Sequence, residues 1–312
     1  MKSYLIINPW SRGGKCSRQF GEIFRLMNDA GLEYDYVFAS TFQGIKGASV
    51  YANRQDYDNI IAVGGDGTIN AVINGFYDQY GYLISNKSMG VIYTGTSPDF
   101  CKSYGIPLNL EEAVNSIKNH QIKRVRIGSI RFASQIDPVR LENRYFACCT
   151  SIGIGAMVAA KANRFRKYVG DFAGTIGSIL ICLAKFKSRN IEINSSGTIK
   201  TYRSVVNVFV GRTKYIASGI KVNQGISEND PRFYIITVMN LRLSRLLNLF
   251  CQIYSGDIKT SNMIDFSLSD SVLIQSDKLP SQVEFDGDPA GFTPCTFQCA
   301  VNSLNLITWP DG

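Results

Sequence analysis

The chain has 312 residues, 45% of them hydrophobic and 19% charged, with a formal net charge of +8. Those figures exclude extended disorder and leave room for two domains with a sizeable core. The positive balance favours anionic partners such as nucleotides, phosphorylated lipids or an acidic membrane surface, whereas lysines and arginines scattered along the chain argue against nucleic acid.

In chain order, residues 3–7 read as a first strand that ends at Asn8-Pro9 and enters the basic glycine turn Ser11-Arg12-Gly13-Gly14-Lys15. A helix carrying Phe20, Ile23, Phe24 and Met27 follows, closed by Gly31. The turn can offer backbone donors, Arg12 and Lys15 to phosphates, but it lacks the spacing of a Walker A loop. Residues 34–39 suit a second strand and 42–54 a helix. Ile60 to Val63 form an apolar run that breaks into Gly64-Gly65-Asp66-Gly67-Thr68, after which Ile69, Val72, Ile73 and Phe76 fall on one helical stripe. Gly64, Gly65 and Gly67 can take positive φ and admit a ligand to the backbone, at a helix start whose N–H groups and dipole favour phosphate. Asp66 would repel phosphates unless a divalent cation sits between them.

A fourth strand, Ser88 to Tyr93, leads into Thr94-Gly95-Thr96-Ser97-Pro98-Asp99-Phe100, another strand-to-helix turn with a carboxylate. Alternating strands and helices imply a doubly wound parallel sheet that binds ligands at the carboxyl ends of its strands, so three such ends should share one crevice. After Lys118 the texture changes to short β-rich runs at residues 125–132, 144–152, 205–210, 233–239, 271–275 and 282–285, the spacing of a β-sandwich or barrel. The expected division is an α/β nucleotide-binding domain over 1–120, with 302–312 able to return to it, and a β-rich substrate domain over 121–301.

Two helical stretches, 156–188 and 241–254, interrupt the second half. In the latter, Leu243, Leu246, Leu247 and Phe250 beside Arg242 and Arg245 suit a core helix with snorkelling arginines or a membrane-surface helix. The single histidine, His120, leaves histidine-dependent catalysis, Ser-His-Asp hydrolysis and multi-histidine metal sites without support, so a general base should be a carboxylate. Gly153-Ile154-Gly155 lacks the third glycine of a dinucleotide fingerprint, which makes a nicotinamide oxidoreductase a distant alternative. Eight cysteines without CxxC spacing are expected to be reduced and mostly buried. With no signal-peptide pattern at Met1 to Pro9, and Phe172 to Ala184 too short to span a bilayer, a cytoplasmic protein is expected, soluble or loosely membrane-associated.

These residues resemble the diacylglycerol kinase catalytic-domain family of lipid kinases, which shares its nucleotide fold with NAD kinases. The resemblance is carried by Asn8-Pro9 with Gly13-Gly14-Lys15, by Gly64 to Asn70 with Asn74-Gly75, by Gly95-Thr96 with Asp99-Phe100, and by Gly105-Ile106-Pro107. Ser151 to Ala156 is similar to the family's Ser-Ile-Gly-Phe-Asp-Ala, and Asp286-Gly287-Asp288 stands where the family has Asp-Gly-Glu. It implies Mg-ATP in the cleft between the domains, its phosphates cradled by Gly64, Gly65, Gly67 and Thr68, with Asn8, Lys15, Asn70, Thr94, Gly95 and Thr96 nearby. It further implies that Asp66 and Asp99 arrange the magnesium and the reacting groups, and that Asp288 is the general base for the acceptor hydroxyl. Arg166, in Arg164-Phe165-Arg166-Lys167, would neutralise transferred charge, and Asp230 would be the acid of a structural magnesium loop, with Pro231 replacing the usual glycine. The implied partners are ATP and a lipid or other amphipathic alcohol such as diacylglycerol, with a peripheral membrane contact and a second copy of the chain as further candidates. Ala71 replaces the family's glutamate, Pro98 its asparagine, and Asp288 is one methylene short. A nucleotide-binding regulator with lost or altered catalysis is therefore the alternative.

Overall fold

A computed structural model describes residues 1–137, 139–155, 181–182, 186–216, 219–222, 226–227, 230–240, 263–277, 279–285 and 288–309. The first sheet begins with β1 (Lys2–Ile7), β2 (Glu33–Phe38), β3 (Asn59–Gly64), β4 (Ser88–Tyr93) and β5 (Ile122–Val125). Between these strands lie α1 (Phe20–Asp29), α2 (Phe42–Arg54), α3 (Asp66–Ile73), α4 (Asp99–Tyr104) and α5 (Leu110–Asn119).

Side-chain alternation along the strands explains why helices cover both faces. Leu5, Ile7, Ile61 and Val63 pack with Ile23 and Met27 of α1 and Val114 and Ile117 of α5. Ile6, Ile60 and Ala62 point the other way, onto Ile45, Ile69, Val72 and Phe100 of α2, α3 and α4. Local chemistry sets the helix ends. Thr41 accepts a hydrogen bond from the Gly44 N–H at the start of α2, and Asn109 accepts from Glu111 and Glu112 at the start of α5. His120 ends α5 in a left-handed conformation, with its ring 2.8 Å from Asn59 Oδ1, so it serves the fold.

The second half is built from β6 (Gly128–Ser134), β7 (Leu141–Phe146), β8 (Cys149–Gly153), β9 (Arg189–Ser195) and β10 (Thr198–Gly211). After the small ribbon β11 (Tyr215–Ile216) and β12 (Ile220–Lys221) come β13 (Phe233–Met239), β14 (Ile264–Ser269), β15 (Val272–Ser276), β16 (Gln282–Phe285) and β17 (Asp288–Cys299). Their order is β14-β13-β10-β8-β16-β17-β15-β9, with β6 and β7 added on β17. The first half of β10 pairs with β9 and its second half with β8 and β13, so the ladder returns to its own starting strand around Phe132, Ile152, Ile193, Val208 and Phe297. The α/β plus all-β architecture agrees with the sequence.

Sheet membership shifts the expected division. β5 belongs to the first sheet, as does β18 (Leu304–Ile307), which lies between β4 and β5, parallel to the former and antiparallel to the latter. The chain thus crosses between the sheets at residues 126–127, a few residues beyond the expected 120, and again at 300–303. The run expected over 125–132 divides into β5 and β6, and that over 144–152 into β7 and β8. The expected helices over 156–188 and 241–254, including Arg166, lie outside the described residues apart from 181–182, which are helical, and 186–188.

Buried polar groups join the domains. The Asn74 amide, just past α3, donates to the Tyr145 carbonyl at 2.7 Å and accepts from the Tyr145 N–H at 2.9 Å, mimicking one rung of a β-ladder. Tyr104 donates to the Ala147 carbonyl and Tyr145 to that of Asp78, while the Tyr215 N–H donates to Ser103 in α4. Each bond satisfies a group that would otherwise be buried without a partner.

Candidate active site

Three strand ends meet at the carboxyl edge of the first sheet. At the end of β1, the Asn8 N–H continues the ladder onto the Val63 carbonyl, and its side-chain amide donates to Thr68 Oγ1 at 2.9 Å. Ser11, buried in the following turn, donates to the Thr94 carbonyl at 3.0 Å. The Thr94 N–H donates to the Gly64 carbonyl at 2.9 Å. The loops after β1, β3 and β4 are therefore tied pairwise, two of the ties being made by side chains. Ser11 is the residue the sequence motifs do not single out; its signal is a small polar residue opening a glycine turn right after a strand.

The glycines serve mainly close approach. Gly64, Gly65 and Gly67 do not have positive φ; the left-handed residues are Arg12, Gly13 and Gly14, in the 3₁₀ turns of Ser11–Gln19. Gly65 and Gly95 are needed because their loops touch: a Cβ on Gly95 would lie 2.5 Å from Gly65 Cα. A Cβ on Gly64 would strike the Thr68 side chain. Around Gly67 the space is open, with no atom within 4 Å of where its Cβ would stand, so a ligand can approach the first turn of α3 there.

Two carboxylates flank this contact. Asp66 lies in the first turn of α3 and Asp99, buried, in the first turn of α4. Both raise the pKa of the Tyr93 phenol, behind the larger effect of its burial, and Asp66 does the same to the buried Cys101 thiol. Their fields thus converge on one side of the crevice, the electrostatic setting that a divalent cation relieves. Among the described residues no three His, Cys, Asp or Glu gather to form a metal cluster. Thr94 Oγ1 is buried and finds no hydrogen-bond partner among the described residues, which leaves a polar atom for a bound phosphate or water. Donor set, open backbone and paired acids fit a magnesium nucleotide.

Other expected residues take different places. Asn70 is buried, and its carboxamide accepts from Asn74 at 3.2 Å, one helical turn on, so it supports the domain junction instead of reaching a phosphate. Lys15 and Thr96 are exposed on the flanking loops. Pro98 holds the N-cap position of α4 with no side-chain bond, having no acceptor to offer where asparagine would cap. Ala71 is fully buried in the apolar cluster. Asp288 opens β17 directly opposite Phe285, with Asp286 and Gly287 outside the described residues.

Asp230 is held by arginines. Both of its carboxylate oxygens are held by the Arg232 guanidinium, at 2.7 and 3.0 Å, and its carbonyl accepts from the buried Arg212. The Arg232 hydrogen bonds pull its pKa below the ordinary value. The carboxylate that the resemblance assigns to a structural magnesium thus has an arginine partner among the described residues.

The sequence model of the diacylglycerol kinase catalytic domain matches residues 2–130, and that of the YegS C-terminal NAD kinase beta sandwich-like domain matches residues 148–308. A diacylglycerol kinase of Staphylococcus haemolyticus is 26% identical over 98% of this chain and 88% of its own length, and one of Staphylococcus carnosus is 25% identical over 99% and 96%. Among solved structures, a diacylglycerol kinase of Bacillus anthracis superposes with a TM-score of 0.71 at 19% identity, covering 99% of this chain and 97% of that one. An NAD kinase of Archaeoglobus fulgidus in complex with ATP gives 0.53 at 13%, covering 99% and 94%. With one of these models matching each of the two sheets described above, the chain belongs to the diacylglycerol kinase family of lipid kinases, the group that shares its fold with NAD kinases.

Proposed function

We propose that the protein is an ATP- and magnesium-dependent kinase that phosphorylates a hydroxyl of diacylglycerol or a related amphipathic alcohol. The observation that carries this is the backbone contact of Gly65 with Gly95 between Asp66 and Asp99, because it joins an open helix N-terminus to a focus of negative charge. N–H groups of the α3 first turn around Gly67 and Thr68, together with Asn8 and Thr94, would take the phosphates, with Lys15 screening them from solvent. Asp66 and Asp99 would hold the magnesium, which when bound offsets the charge on the transferring phosphoryl group. Asp288 would accept the acceptor hydroxyl's proton as its oxygen attacks the terminal phosphorus and ADP leaves. No helix among the described residues is long and apolar enough to cross a membrane. The proposed setting is cytoplasmic, with the lipid met at a membrane surface.

Incubation with radiolabelled ATP and a mixed lipid extract should yield a phosphorylated lipid, and Asp66→Ala should abolish it. Ala71, Pro98 and the short Asp288 support a second reading, a nucleotide-binding regulator. ATP binding by calorimetry without turnover on any lipid would select it, and Asp288→Glu would then be the variant expected to restore transfer.

A further inference from the structure

One buried polar group beside the crevice has no part in the transfer proposed above: the hydroxyl of Tyr93, the last residue of β4. Its ring lies in the apolar cluster with Met89, Val91, Phe100 and Cys101, where a phenylalanine would pack as well. Packing therefore does not account for the oxygen. It is buried and makes no hydrogen bond with a described residue, the Ser97 backbone exerting only a small opposing effect on its pKa. Burial dominates the rise in that pKa, so the phenol keeps its proton; of the charges around it Asp66 acts most strongly, and Asp99 less. Neither carboxylate is hydrogen-bonded to it. A buried donor without an acceptor costs the folded state its hydration with no bond in exchange.

The position of the hydroxyl identifies its acceptor. A Cβ on Gly95 would lie 2.5 Å from the Tyr93 oxygen and 2.5 Å from Gly65 Cα, so the phenol abuts the contact between the two loops. Asp66 directly follows Gly65, opens α3 and has its Oδ1 buried. A carboxylate that gives one oxygen to a metal keeps the other towards the protein, where a hydrogen-bond donor holds it. Pro98, beside Asp99 at the start of α4, has no polar hydrogen to give. Building on the kinase assignment above, we infer that Tyr93 is a positioning residue, whose hydroxyl donates to the inward oxygen of Asp66 when that acid takes the nucleotide's magnesium, and so fixes the carboxylate for the metal.

The test is calorimetry with ATP, in excess magnesium and in EDTA, on the wild type, Tyr93→Phe, Asp66→Asn and the double variant, together with the melting temperature of each nucleotide-free protein. Tyr93→Phe should weaken binding about tenfold in magnesium and leave it unchanged in EDTA. Its nucleotide-free melting temperature should equal or exceed that of the wild type, because the substitution deletes an unbonded oxygen and keeps the ring. In the Asp66→Asn background the same change should have no further effect. Undiminished binding in magnesium overturns the inference and leaves the kinase assignment standing. So does an equal loss in magnesium and in EDTA, or a lower melting temperature, either of which makes Tyr93 a prop for the loops. A loss that persists in the Asp66→Asn background gives the hydroxyl a different acceptor and also overturns the inference. If the wild type binds no ATP in either condition, the kinase assignment fails and this inference with it.

Discussion

In the first sheet β3 and β4 are buried from end to end under helices on both faces, whereas β9 and β14 of the second stay partly open along their length. A strand sealed on both faces gives a ligand nothing but its end, which forces the chemistry of the first domain into the loops after β1, β3 and β4. The second domain works from the flanks of its strands. Arg144 in β7 presents its side chain sideways, over the Phe42 ring at the start of α2. The first domain should accordingly be sensitive to backbone shape and loop charge, and the second to the chemistry of single side chains.

The sharpest way to break this contrast is Asp66→Ala, which should lower phosphoryl transfer about a thousandfold, measured with radiolabelled ATP. Next comes a pair of glycine variants. Gly95→Ala drives a methyl into the Gly65 backbone and should cost about 1–3 kcal/mol in a denaturant titration, as well as nucleotide binding. Gly67→Ala meets no protein atom and should leave stability within about 0.5 kcal/mol, while calorimetry shows weaker ATP binding. Equal destabilisation by the two would contradict the idea that Gly67 is open for a ligand and Gly95 for another loop.

Between the domains, Asn74→Leu removes both bonds to the Tyr145 backbone and strands its N–H and carbonyl in a buried place, so a loss of about 2 kcal/mol is expected on chemical denaturation. The smallest effect belongs to Asp230. Its folded-state pKa is depressed, so its stabilising contribution is complete above the ordinary value of 3.8 and disappears as pH falls through the folded value. On acidification below pH 3.8, wild type should lose more melting temperature than Arg232→Ala, and the two curves should draw together. EDTA should leave the melting temperature of the nucleotide-free wild type unchanged, since arginine does the cross-linking; a clear drop would restore a structural metal there.

How far the sequence discloses this depends on distance along the chain. Gly64 to Thr68 and Thr94 to Asp99 are legible as strand-end turns because the residues proposed to meet a ligand are adjacent, and an apolar strand before them fixes where the turn points. The reason for the glycines is not legible. That Gly65 and Gly95 face each other is a consequence of β3 pairing with β4, which no local pattern encodes. Asn70 reads as a phosphate contact from its motif, yet its partner is Asn74 and, through it, Tyr145, 71 residues further on. Asp230 with Arg212 is likewise visible only once strands are paired. Arg232 is the exception: two residues from Asp230, it could have been read as the competing cation.

The placement of β18 has a consequence for how the molecule comes into being. Because residues 304–307 fill the slot between β4 and β5, the first sheet stays incomplete, with an apolar gap, until these residues have left the ribosome. The barrel strands, all synthesised earlier, can close before the loops after β1, β3 and β4 are fully buttressed. The first sheet is thus completed only after the second, although most of its strands precede it.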